Sequence, residues 1–192
     1  MNIARILYPI EVLGPGKRIG IWVAGCTRKC KGCSNPELWE QKPEYEISVE
    51  QLISLIERIS HDNEIDGFTF SGGEPLNQAG ELAQLLQCIR IFSTDIIVYT
   101  GYTMEKLLEK QNTDIQTILE SIAVLIDGEY VEELNDDTFL RGSSNQRIHI
   151  INPIYECKYL EYLKNGHNQI QNFTTSDGVV SVGIHHKTFT SL

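Results

Sequence analysis

The sequence predicts an α/β fold, a partial and open (β/α) barrel with a small C-terminal helix–hairpin extension. Three observations predict it. Strand-like apolar runs alternate with helical periods, which implies right-handed crossovers and a mainly parallel sheet. The unusual residues all follow strand-like runs, where such folds gather their ligand sites. At 192 residues the chain is too short for a full eight-stranded barrel, which takes roughly 250.

The first strand is the apolar run 19–24, which ends at Gly25 and leads into a cysteine loop. Val49, Leu52, Ile53, Leu55, Ile56 and Ile59 recur at helical spacing, and Ser48 with Gln51 forms a capping box at the start. A second strand, 67–71, runs into Gly72-Gly73-Glu74-Pro75. Leu82, Leu85, Leu86 and Ile89 mark the next helix, in which Cys88 reads as a small core residue. A third strand at 96–100 reaches Gly101. Thr103 and Thr113 are expected caps of helical turns, and 122–126 is a fourth strand before Asp127-Gly128. Residues 146–151 make a fifth. The core domain is therefore set at 1–151 and the extension at 152–192. In the extension Tyr155, Tyr159, Leu160, Tyr162 and Leu163 mark a short helix, and Ser176-Asp177-Gly178 is a hairpin signal.

Composition bounds the function. The net charge of −10 argues against nucleic acid as a whole-surface partner. No apolar run approaches the roughly 20 residues of a membrane helix. No signal peptide is visible at the start, so a cytoplasmic protein is expected. Residues 1–33 hold six basic groups and one acid, a local balance of +5.

Five cysteines are an odd count for a disulfide framework, and three of them cluster. Cys26, Cys30 and Cys33 have the spacing C-x3-C-x2-C, so their thiolates can converge from one loop. Structural zinc would need a fourth ligand, from Cys88, Cys157 or a histidine. An electron-carrying ferredoxin would usually give its cluster four cysteines. A [4Fe–4S] cluster with three protein ligands would leave one iron open to an exogenous ligand. The Gly-Gly-Glu-Pro turn by itself reads as a plain turn; its glycines permit close backbone approach and Glu74 can accept from an ammonium group.

With both motifs in order, the chain resembles the radical S-adenosylmethionine superfamily. Within it, the chain is similar to the activases of anaerobic ribonucleotide reductase. The similar segments include Gly14 through Arg18, Gly25 through Trp39, Phe70 through Leu76, Tyr99 through Thr103, Leu125 through Gly128 and Arg141 through Gln146. Two features depart from that pattern: Leu13 stands where an Asp is common, and the tail after Asn152 is long. The resemblance implies a [4Fe–4S] cluster on Cys26, Cys30 and Cys33 that chelates S-adenosylmethionine through its open iron. It implies reductive cleavage to methionine and a 5′-deoxyadenosyl radical, which makes a glycyl radical on a partner enzyme. A related radical enzyme acting on a peptide or small molecule is the alternative, and a non-catalytic metal module a further one.

Gly72, Gly73, Glu74 and Pro75 are the expected cofactor-binding turn. Thr100, Asp127, Arg141 and Asn145 join them, each with a bland alternative in loop packing, turn formation or capping. The basic face near the cysteines is an expected docking site for a flavodoxin-type electron donor, or else local compensation of an anionic cluster. Trp22 is expected in the core and Trp39 over the cysteine loop. His185 and His186 are expected on the surface.

Overall fold

The computed structural model describes residues 1–175 and 178–186, so the expected turn at Ser176-Asp177 lies outside the described residues. One mixed sheet holds six strands in chain order: β1 (Ile3–Ile10), β2 (Arg18–Val23), β3 (Gly67–Gly72), β4 (Ile96–Tyr99), β5 (Val124–Asp127) and β6 (Arg147–Ile150). β2 through β5 are parallel. β1 and β6 pair antiparallel to their neighbours. Among the described residues no barrel closes, since β1 and β6 are edges.

Two strands correct the expectation. β1 is absent from it because this edge strand is half-covered on both faces and so lacks a clean alternation. β6 is expected, but not its direction. No α-helix stands between β5 and β6, only a 3-10 turn at Glu132–Leu134. A parallel return usually needs a helical crossover.

Helices α1 (Val49–His61), α2 (Ala79–Ile89), α3 (Met104–Glu109), α4 (Thr113–Ser121) and α5 (Glu156–Asn165) complete the sheet's layers. Ser48 caps α1 in a full capping box with Gln51, as expected. Thr103 caps α3. α4 is capped by Asn112, one residue before the expected Thr113, because the Asn112 carboxamide reaches the Ile115 N–H at 2.9 Å. Cys88 is exposed: it falls off the buried stripe of Leu82, Leu85, Leu86 and Ile89.

Alternation along the strands splits the sheet into two faces. Ile19, Ile21, Phe68, Phe70, Val98 and Leu125 pack with apolar residues of α1, α2 and α4. Each such fully buried side chain contributes roughly 1.5–3 kcal/mol. Arg18, Trp22, Thr69, Ser71 and Tyr99 belong to the other, inner face. At its base Arg18 is fully buried and uses all five of its donors. Nε donates to Thr69 Oγ1 (2.8 Å), Nη1 to Pro15 O and Asp95 Oδ1 (both 3.1 Å), and Nη2 to Phe68 O (2.6 Å) and Asp95 O (2.8 Å). Asp95 also accepts from Lys158 Nζ (2.6 Å) and from the Tyr159 hydroxyl of α5. This paired network fixes α5 across the base of the inner face. The expected hairpin follows as β7 (Ile170–Thr175) and β8 (Gly178–Gly183), antiparallel to each other.

Candidate metal and cofactor site

After β2 the chain is held by backbone bonds to a neighbouring segment: Gly25 N donates to Leu38 O (2.9 Å) and Cys26 N to Trp39 O (2.8 Å). Cys33 N donates to Cys30 O (3.2 Å), which folds the loop back on itself. Cys26, Cys30 and Cys33 all line one cleft, together with Gly72 at the end of β3, Gly73 and Glu74 after it, Thr100 and Gly101 after β4, and Gly128 after β5. Trp39 lines it too, as expected of a residue over the loop. Trp22 is buried in the core.

The donor chemistry fits an iron–sulfur cluster. Three thiols from eight residues of one loop share a cleft at the carboxyl ends of parallel strands. Burial, and after it the Glu129 carboxylate, pushes the Cys30 thiol up to about 11. Burial also pushes the Cys33 thiol up, opposed by the Asn35 N–H at 3.4 Å from its sulfur. Metal loading therefore has to displace these protons.

The basic residues of the loop already have acidic partners in the chain. Arg28 Nη1 lies 3.3 Å from Glu129, Lys29 Nζ 3.6 Å from Glu40, and Lys31 Nζ 2.9 Å from Glu132 and 3.3 Å from Glu133. Each of these three cations thus has a carboxylate within 4 Å, while the Lys29 and Lys31 side chains stay 51% and 79% exposed.

Glu74 is 1% exposed and ties two strand ends together. Its Oε1 accepts from Leu76 N (3.0 Å) and Thr100 Oγ1 (2.8 Å), and its Oε2 from Gly101 N (2.8 Å). Burial pushes its carboxyl up; these donors and the Arg28 guanidinium oppose that. Two glycines are needed for close approach. A Cβ on Gly73 would stand 2.6 Å from Gly25 O, and one on Gly101 would stand 2.3 Å from Arg28 Cδ. The room that Gly73 leaves is therefore filled by the cysteine loop itself.

Four expected residues do not line the cleft. Pro75 is buried in the first turn of the 3-10 segment Pro75–Gln78. Asp127 shares its face with Leu125, towards the helices, because side chains two apart along a strand point the same way. It accepts from Met104 N (2.6 Å), at the start of α3, and from Arg147 Nη2 (2.6 Å). Arg141 Nη1 donates to Gln146 O (2.8 Å), and Asn145 Nδ2 to Glu129 O (2.8 Å), so both shape the loop before β6.

Other residues take their places. Arg28, inside the cysteine loop, lies with its guanidinium 4.3 Å from the centre of the Tyr102 ring. Gln146 lines the cleft and accepts from Gly142 N at 2.8 Å. From the hairpin, Ser181 through Ile184 line it, and so does His185, which is half-buried and not on the surface as expected. Burial pushes the His185 imidazole below its ordinary value. The sequence offered a signal for Arg28, its position between two cysteines, but none for the hairpin.

A family model described as a 4Fe-4S single cluster domain matches residues 12–149. The chain is similar to the anaerobic ribonucleoside-triphosphate reductase-activating protein of Vibrio cholerae serotype O1 (strain ATCC 39315 / El Tor Inaba N16961). The two are 36% identical over 151 residues, 74% of this chain and 94% of the relative. The protein of that name in Escherichia coli (strain K12) is 34% identical over 153 residues, with the same coverage. Its namesake in Enterobacteria phage T4 is 33% identical over 153 residues, 77% of this chain and 93% of the relative.

Proposed function

Because the chain belongs to the family of anaerobic ribonucleoside-triphosphate reductase-activating proteins, we propose that it generates a glycyl radical on an anaerobic ribonucleotide reductase. The observation that carries the reading is the single loop that brings Cys26, Cys30 and Cys33 to one cleft, within residues matched by a 4Fe-4S domain. In this reading residues 1–151 are a radical S-adenosylmethionine core of partial-barrel type, and 152–192 an extension of it.

When bound, a [4Fe–4S] cluster with one iron free of protein thiolate supplies the electron that cleaves S-adenosylmethionine to methionine and a 5′-deoxyadenosyl radical. The three thiolates hold it. Gly72 and Gly73 line the cleft where the cofactor would lie, and Thr100, whose hydroxyl donates to Glu74, helps to set its mouth. Glu74 is a positioning residue: with its oxygens already bonded to Leu76, Thr100 and Gly101, it sets the mouth of the cleft. Pro75 fixes the turn behind it. Asp127 acts at one remove by accepting the Met104 N–H at the start of α3, and Arg141 and Asn145 act by holding the loop from which Gln146 reaches the cleft.

The low-potential electron donor is of flavodoxin type, and the exposed Lys29 and Lys31 beside the cysteine loop belong to its docking face. No helix among the described residues is long and apolar enough to cross a membrane; a cytoplasmic site of action suits this chemistry.

The test is anaerobic loading with iron and sulfide, then reduction in the presence of S-adenosylmethionine. Stoichiometric 5′-deoxyadenosine and methionine are expected. Adding the reductase should give a glycyl radical signal by electron paramagnetic resonance. A loaded chain that cleaves no cofactor refutes the proposal.

A further inference from the structure

We infer that the C-terminal hairpin is a wall of the radical site that selects which partner segment enters it. The inference rests on the activase reading for its occupant, the glycine-bearing segment of the reductase, but not for its geometry.

The hairpin lies beyond residues 12–149, which the family model matches. The relatives align over 94% of their own length yet leave about a quarter of this chain without a counterpart. The hairpin is not peripheral. Ser181 through His185 line the same cleft as the three cysteines. Val182 is 3% exposed and packs in one core cluster with Leu13, Trp22 and Leu38, while Phe173 and Val180 pack against that cluster.

Polar ties fix both ends. Gln171 Nε2 donates to Pro9 O (2.8 Å), and Gln171 Oε1 accepts from Glu11 N (3.1 Å). At the other end Asn135 Nδ2 donates to His185 O (2.9 Å). Asn135 ends the segment whose Glu132 and Glu133 hold Lys31 of the cysteine loop. The hairpin thus connects the β1–β2 side of the inner face to the segment that holds Lys31 of the cysteine loop.

A primary-carbon radical in an open half-barrel has to be kept from water and from stray hydrogen donors. Here part of that enclosure is built into the chain. A segment entering beside the hairpin meets Ile184 and His185, an apolar surface and an imidazole. A glycine, which brings no side chain, is the residue such a wall admits most easily.

The test uses the full chain in two forms. Phe173→Ala with Val180→Ala loosens the hairpin without changing a residue of the cleft. Val182→Asp places a carboxylate against Trp22 and Leu38. In the metal-free proteins, alkylation of each cysteine by iodoacetamide is followed by peptide mass mapping. Exposed Cys88 and Cys157 serve as internal references. Modification of Cys26, Cys30 and Cys33 is expected to speed up at least fivefold relative to the references. Unchanged relative rates overturn the wall, and if Val182→Asp unfolds, the alanine pair decides alone. In the loaded protein, the alanine pair should need at least fivefold more reductase for half-maximal radical. An unchanged requirement overturns the selecting role. A wild-type chain that forms no radical refutes the activase reading instead, and the thiol rates still decide the wall.

Discussion

Glu74→Gln separates a carboxylate that positions the mouth from one that grips the cofactor. The native carboxylate accepts three bonds, two at 2.8 Å and one at 3.0 Å. A carboxamide keeps one acceptor oxygen. If its nitrogen takes the Oε2 position, it faces the Gly101 N–H, donor against donor. If it takes the Oε1 position, the Thr100 hydroxyl can turn to accept, but the Leu76 N–H is left unpaired. Either way one buried backbone N–H is orphaned, which costs about 1–3 kcal/mol. The bonds that survive lose the assistance of charge, worth about 0.5–1 kcal/mol each. Relief from burying a charge offsets part of this, since burial already pushes the carboxyl up. The net expectation is a loss of about 2–3 kcal/mol. With a urea slope of about 2 kcal/mol/M, the unfolding midpoint of the metal-free protein should fall by about 1–1.5 M. Binding of S-adenosylmethionine to the loaded protein should weaken as a consequence of the displaced mouth. A midpoint within about 0.2 M of wild type, together with lost cofactor binding, would refute the positioning role and make Glu74 a direct contact.

Alanine at Cys26, Cys30 or Cys33 should abolish the iron–sulfur absorbance after anaerobic loading, whereas Cys88→Ala and Cys157→Ala should retain it; iron and sulfide counts check both. Gly73→Val should act on the cysteine loop before it acts on the cofactor, because its Cβ would stand 2.6 Å from Gly25 O. A stability loss of about 1–3 kcal/mol is expected, with lower iron retention, and iron per chain alongside urea unfolding measures it. Glu105 is held down to about 2, chiefly by the forked bonds from Arg147, so its folded value lies below its unfolded one. Its contribution to stability is therefore complete above about pH 4.5 and disappears as pH falls towards 2. Glu105→Gln should flatten the stability profile across that window, and a profile as steep as wild type would refute the pairing.

What the sequence made legible was local. The Ser48–Gln51 box, the Thr103 cap and the buried parallel strands are short-range patterns, and the structure has them. The cysteine spacing placed all three thiols at one cleft. Other features depend on what lies across space. β1 is half-covered on both sides, so its eight residues carry no strong period. The direction of β6 depends on the missing crossover helix. Asp127 follows a strand, as a ligand-binding residue would, but its parity with Leu125 turns it to the helices; counting from Leu125 would have shown this. The acids beside Arg28, Lys29 and Lys31 come from positions 40 and 129–133, so a charge count over 33 residues shows none of these ion pairs. No local pattern relates residues 181–185 to Cys26.

The buried Arg18 network puts a floor under the inner face. With Arg18, Asp95 and Tyr159 packed there and no donor of Arg18 to spare, the base of that face offers a ligand no hydrogen bond. In the proposed reading, a small cofactor seated against the cysteine loop would be covered by a docked reductase, and would have to load before it.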